Sequence, residues 1–215
     1  MKLTSKKLAL ALAMSPVAMM AAPASAQVVA GIAVANPDAI VVNSAAYKLA
    51  EQQRGTTYKA QLDQAEARRQ ALSAQLQPLY QRLQTDSQAA SPNQASLQQQ
   101  AQQIQQIEQS GQAELQRLLQ PVNLSRAYVL EQISERLPAA LEAAQRRKRI
   151  TLVLSPQAVV AADEAYNLNT DILAELDRAL PQAQLVPPAG WVPRAQREAQ
   201  AAQQQQGNAA AAGGR

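Results

Sequence analysis

Two short runs of β-branched and aliphatic residues, Ile32-Ala33-Val34 and Ile150-Thr151-Leu152-Val153-Leu154, bracket a long stretch whose apolar positions recur at steps of three and four. The pattern predicts strand, long helix, turn, long helix, strand. The fold class it implies is mainly α with a small β body, from which a long antiparallel α-helical hairpin projects like a tentacle. An arm of that kind cannot be enclosed in a globular core, so its exposed faces must meet another copy, a client or a membrane.

The first helix is expected over residues 45–86, with Asn43 or Ser44 as its N-cap. Its seam runs through Leu62, Ala65, Arg69, Leu72, Leu76, Leu79 and Leu83. Gly55-Thr56-Thr57 is a weak point, because a glycine and two β-branched residues together lower helix propensity. The small polar residues of 87–93 form the turn at the tip, and Pro92 suits the first turn of the next helix. The second helix is expected over 93–145, with a stripe of Leu97, Ala101, Ile104, Glu108, Gly111, Leu115, Leu118, Val122 and Val129. Large residues thin out at Glu108 and Gly111, which predicts a loosely held outer hairpin. Pro78, Pro121 and Pro138 each remove one helical hydrogen bond and should bend the arm. The remaining faces are mostly glutamine and alanine, so the stripes read as a two-helix seam rather than as a domain core.

Pro37 ends the first strand, and Ala39 to Val42 is a further short apolar run. After the second helix come a buried strand over Ile150–Leu154, a turn at Ser155-Pro156 and a second short strand at Val159-Val160-Ala161. Asn169 or Thr170 is expected to cap a closing amphipathic helix that carries Ile172, Leu173, Leu176 and Leu180. Residues 181–215 read as a disordered Pro/Gln/Ala-rich tail, with Trp191 an isolated exposed aromatic. The domain plan is therefore a body of 27–43 and 146–180, an arm of 44–145 with its tip near 87–93, and the tail. Ile32, Val34, Ile150, Leu152, Leu154, Val159, Ile172 and Leu176 are too few to close a core in one subunit, which makes the body the expected site of oligomerisation.

Residues 1–26 add a destination. Lys2, Lys6 and Lys7 precede an apolar stretch from Leu8 to Met20, and Ala24-Ser25-Ala26 is a small-x-small cleavage site. Cleavage after Ala26 would deliver a periplasmic protein, and loss of the three lysines takes the formal net charge from +4 to +1. A near-neutral chain has no general pull towards nucleic acid. The run Arg146-Arg147-Lys148-Arg149 reads first as cations complementing a helix C-terminus, and second as a weak anionic-lipid contact.

The chemistry of catalysis is missing. The chain has no histidine and no cysteine, and no Ser-x-x-Lys, Gly-x-Ser-x-Gly, P-loop or dinucleotide fingerprint. No catalytic, metal or cofactor site is expected, and no disulfide can form.

On Gly31-Ile32-Ala33-Val34, the hairpin returning into Ile150-Thr151-Leu152-Val153-Leu154-Ser155, and Val159 to Asp163 followed by Asn169 to Leu176, the chain resembles the OmpH/Skp family of periplasmic chaperones. The resemblance spans roughly Ala30 to Leu180; along the arm it is one of pattern only. It implies a homotrimer whose strands build a common body, with three arms enclosing a cavity for unfolded outer-membrane β-barrel proteins, held without ATP. The hairpin seam would then be Leu62, Leu72, Leu76, Leu79, Leu83, Leu97, Ile104, Leu115 and Leu118. The chain departs from the family's basic arms, since no Lys or Arg lies between Arg82 and Arg117. A structural or adaptor hairpin docking on a cell-envelope complex is the alternative reading.

Overall fold

A computed structural model describes residues 29–213. The signal segment 1–26 and its cleavage site lie outside the described residues. The element order is β1 (Ile32–Val34), α1 (Pro37–Asn43), α2 (Ala45–Thr57), α3 (Lys59–Ser87), α4 (Gln94–Lys148), β2 (Leu152–Leu154), α5 (Asn169–Ala179) and α6 (Arg194–Gly213). The hairpin arm and the small β body predicted from the hydrophobic pattern are both present, the sheet having two strands.

Each boundary has a local cause. The Asn36 side chain accepts from the Ala39 N–H at 3.1 Å and Pro37 fills the first turn, so the run after β1 becomes the helix α1, with Ile40 and Val41 buried. Ser44 ends α1 by donating to the Val41 carbonyl at 2.7 Å, and starts α2 by accepting from the Tyr47 N–H at 3.2 Å. The weak point at Gly55-Thr56-Thr57 does interrupt the first long helix. Tyr58 leaves helical geometry (φ −108°, ψ 21°) and separates α2 from α3. At the tip, Asn93 caps α4 through the Ser96 N–H at 3.1 Å, so Pro92 stands before the cap and not in the first helical turn. α4 then runs 55 residues without interruption. Pro78, Pro121 and Pro138 all sit inside helices and all on exposed positions. Water can therefore reach the carbonyls that each proline leaves without a donor. Arg149 closes α4 in the left-handed conformation (φ 58°), and the Ile150 N–H bonds back to the Gln145 carbonyl at 2.9 Å.

β1 and β2 pair in parallel, with Ile32 opposite Leu152, Ala33 opposite Val153 and Val34 opposite Leu154. Gly31 (φ +83°) makes this entry possible. Its carbonyl accepts from the N–H groups of Thr151 and Leu152 at 2.8 and 2.9 Å, and a Cβ on Gly31 would lie 2.9 Å from the Thr151 hydroxyl. The core sits where α1, α2, α5 and the basal third of α4 meet. Ile40, Val129, Ile133, Ile172 and Leu176 are fully buried there, with Ala46, Ala50, Ala140 and Ala144 allowing close helix approach. The body thus closes a core within one subunit, which the sequence reading did not grant it. The missing bulk comes from α1 and from the base of α4.

Three further expectations are corrected. The strand read over Ile150–Leu154 is only Leu152–Leu154 and is not buried, since Leu152 is 47% exposed. Val159-Val160-Ala161 is not a strand in this subunit. A short 3-10 turn at Pro156–Ala158 leads into it, the sheet among the described residues holds only β1 and β2, and Val160 stands fully in solvent. The closing helix is entered through Asn167, whose side chain accepts from the Asn169 N–H at 2.9 Å, while Asn169 turns to the Asn36 N–H at 2.7 Å.

The segment read as a disordered tail is also ordered over much of its length. Residues 181–193 lie along α4 with Ala183 buried, and α6 follows. Trp191 stacks edge-on against Tyr128, ring centroids 5.0 Å apart. Proline and glutamine here serve as an extended strap, for which periodicity gives no signal.

In the hairpin, Gly111 packs directly against Leu72 across the seam. A Cβ placed on it would lie 2.5 and 2.6 Å from the Leu72 methyl carbons. The gap read in the stripe is the socket for Leu72, a knob in a hole. Replacing Gly111 by alanine gains about 1 kcal/mol of helix propensity but forces Leu72 aside. In a double-mutant cycle followed by urea unfolding, Gly111→Ala should therefore stabilise the Leu72→Ala protein and fail to stabilise the wild type; additive effects would contradict this packing. In the body, Ile133→Ala should cost about 2–5 kcal/mol, the usual loss for a fully enclosed aliphatic side chain, read in the same experiment.

Candidate functional site

Two surfaces are candidates, one on the sheet and one along the hairpin. Strand alternation gives the two-stranded sheet two distinct faces. Ala33 and Val153 point into the subunit's core. Ile32, Val34, Leu152 and Leu154 share the opposite face, where among the described residues three are half-buried and Leu152 is exposed. An apolar pocket of about 340 Å³ opens at the end of the strands on the core side, lined by Ala35, Ile40, Leu141, Val153, Leu154 and Ile172 among others. Ile150 is half-buried against the core, and Val159 is half-buried next to the exposed Val160. Ile172 and Leu176 are enclosed within the subunit and unavailable to a second copy. Of the eight residues proposed for the body from sequence, the structure places four together on one open apolar face.

The hairpin is two helices thick. Leu72 and Ile104 are buried between α3 and α4; Leu62, Leu76, Leu79, Leu83, Leu97, Leu115 and Leu118 are half-buried along the same seam. Polar groups cross it where leucine is absent. Arg68 Nε donates to Glu114 at 2.6 Å, the Tyr80 hydroxyl donates to Glu108, and Gln100 Nε2 donates to Asp86 at 2.6 Å. The Glu108 carboxylate holds the Tyr80 phenol above its ordinary pKa, because ionising it would remove that hydrogen bond. Each carboxylate of the outer hairpin is thereby tied to the other helix or to its own neighbour, as Asp86 is to Arg82 at 3.7 Å. The outward surface is left to glutamine, alanine and serine, with little free charge.

The basic run is likewise engaged. Arg147 bridges Asp171 and Glu175 of α5 at 2.8 Å each, Lys148 reaches Asp171 at 3.1 Å and Arg146 reaches Glu142 at 3.4 Å. Arg147 and Lys148 pin α5 to the end of α4, where the helix dipole also favours cations.

Sequence reasoning missed the root of the arm. Arg54 is 3% exposed, paired with Glu51, and donates to the buried Ser125 hydroxyl at 3.4 Å. Burial alone would raise the Glu51 pKa, but the hydrogen bond and charge of Arg54, with Arg126 at 3.5 Å, outweigh it and hold the carboxyl below its usual value. Arg54 and Ser125 each interrupt an apolar helix face at the same height, the one signal that could have paired them.

Among the described residues no cluster of three or more acidic side chains could hold a metal ion, and no helix is long and apolar enough to cross a membrane. No curated protein matches the chain. Among solved structures, one that matches is an OmpH-like protein from Caulobacter crescentus described as an outer membrane chaperone; it is 17% identical, with a TM-score of 0.49, covering 77% of this chain and 96% of its own. The family model described as "Outer membrane protein (OmpH-like)" matches residues 31–176, from the glycine that opens β1 to the last buried leucine of α5. That match spans both strands, the whole hairpin and the closing helix, and the chain belongs to the OmpH-like family.

Proposed function

We propose that the protein is an ATP-independent periplasmic holdase, a homotrimer that binds unfolded outer-membrane β-barrel proteins between its arms and keeps them from aggregating. The observation that carries the reading is the hairpin itself: over α3 and the distal half of α4 there is one seam, and among the described residues no second layer covers its outer faces. A surface so exposed and so polar folds without a partner yet offers many weak contacts. Family membership supports a chaperone role, and the export signal supports a periplasmic setting.

The open sheet face supports assembly. Ile32, Val34, Leu152 and Leu154 form an apolar patch beside an unpaired segment, Val159-Val160-Ala161, whose β-branched sequence suits a strand. In a trimer that segment can add to a neighbouring subunit's sheet, and the patches can close on one another. Three arms then surround a common space.

Clients are held by number rather than by strength. Unfolded barrel strands expose alternating apolar residues and unpaired backbone groups. Glutamine amides both donate to and accept from such groups, and scattered half-buried leucines meet the apolar positions. Affinity comes from the high local concentration inside the arms.

Dilution of an outer-membrane β-barrel from urea should give little light scattering at near-stoichiometric trimer. Undiminished scattering, with the protein folded, would point instead to an adaptor. Leu152→Asp should break the assembly by placing an unpaired charge in the shared core; sedimentation as an intact trimer would contradict the assigned face. Raising salt from about 0.05 to about 0.5 M, which shrinks the Debye length well below about 10 Å, should change client affinity by no more than a few-fold. A steeper loss would mean that Arg68, Arg69, Arg82 and Arg117 dominate binding.

A further inference from the structure

The helices at the arm's root have a weak level. Tyr58 interrupts the outgoing path, one turn beyond Arg54. Pro121 deprives the returning helix of a hydrogen bond, one turn beyond Ser125 towards the tip. Because Arg54 and Ser125 touch across an antiparallel pair, Tyr58 and Pro121 stand at about the same height. Both helices of the arm are therefore softest at one cross-section.

Immediately beneath it lies the segment that follows α5. Ala183 is buried and Leu185 packs against the core. The Leu185 carbonyl accepts from the Ser125 hydroxyl at 2.7 Å, the same hydroxyl that receives Arg54 Nε, so α2, α4 and the strap converge on one oxygen. Gln184 and Gln132 bond in both directions at 2.9 Å, amide to carbonyl and backbone N–H to side chain, and Tyr128 donates to the Gln184 side chain at 2.9 Å. The chain then turns back. Trp191 lies edge-on to Tyr128, the Arg194 N–H reaches Glu131 at 2.9 Å, and Arg197 reaches the other oxygen of Glu131 at 2.7 Å. The two arginine contacts outweigh the upward push of burial and hold the Glu131 pKa below the usual carboxylate range, so the carboxylate stays charged.

We propose that residues 181–197, which lie beyond the family match, are a brace that locks α2 to α4 directly below this two-helix hinge and confines bending of the arm to it. The contacts run out along α4 and back, stop one turn short of Pro121 and leave everything above free. A strap that only stabilised the body would have no reason to climb from α5 to Ser125 or to seat its polar contact nearest the tip on the buried Arg54–Ser125 pair. The brace concerns the chain's own mechanics, and its test needs no client.

The test is amide hydrogen exchange on the full-length protein and on the chain truncated after Leu180. Loss of the brace should accelerate exchange at residues 50–58 by roughly tenfold or more, with residues 140–144 and 172–176 of the core unchanged. A second variant keeps the backbone of the strap intact: Trp191→Ala with Glu131→Gln should accelerate the same segment, by roughly threefold or more. Unchanged exchange at 50–58 in either folded variant would overturn the proposal. So would an equal rise at 50–58, 140–144 and 172–176, which would make the strap a general stabiliser. Should the truncated chain fail to fold, the double variant alone decides.

Discussion

The continuity of α4 is the constraint on which the rest of the structure depends. Its basal third supplies Val129, Ile133, Ala140 and Ala144 to the core, and its distal half is one wall of the hairpin. Because a helix transmits orientation along its length, fixing the base in the body aims the arm. Two prolines interrupt the hydrogen-bond ladder without ending the helix, since both face water. The arm is thus attached to the body by packing and not by a linker, and a body that assembles would set the directions of all its arms together.

Around that helix, apolar surface is distributed unevenly. The core uses large aliphatic side chains and excludes water. The seam uses one leucine or isoleucine per turn and replaces the missing ones with Arg68–Glu114, Tyr80–Glu108 and Asp86–Gln100. Exposed pairs of this kind contribute little stability, but they satisfy charges that would otherwise decorate the arm's surface. A neutral, amide-rich wall suits weak contact with many sequences. The outer sheet face gathers Ile32, Val34, Leu152 and Leu154 into one apolar patch, and that is where a second copy is proposed to meet it.

The hairpin was legible because its signals are local. Leucine spacing, the Gly55-Thr56-Thr57 weakness and the polar turn before Asn93 each act within one or two helical turns. The tightness at Gly111 was not legible, since a missing side chain looks like a gap until Leu72 is seen opposite. The completeness of the core was also hidden, because Ala39 to Val42 read only as a further short apolar run and Ile133 as part of the arm. The strap was least legible of all. Its contacts run through backbone groups and single side chains, Leu185 to Ser125 and Gln184 to Gln132, which no periodicity records. Of the surfaces, the β-branched runs located β1 and β2 but made the second too long and added a third strand at Val159-Val160-Ala161, while which residues face outward depended on which face the core of α4 and α5 had taken.

The most direct test of this account is the straightness of α4 in solution. The chain has no cysteine, so spin labels introduced at the exposed positions Gln102 and Glu142 would be unique. Pulsed dipolar spectroscopy on doubly labelled subunits diluted into unlabelled protein should give a single population centred at ~60 Å, from about 1.5 Å of rise per residue, since modest flexing at Pro121 hardly shortens so long a vector. A second population, or a distribution centred well short of that distance, would show that the helix breaks at Pro121 or Pro138, and the body could then not aim the arm.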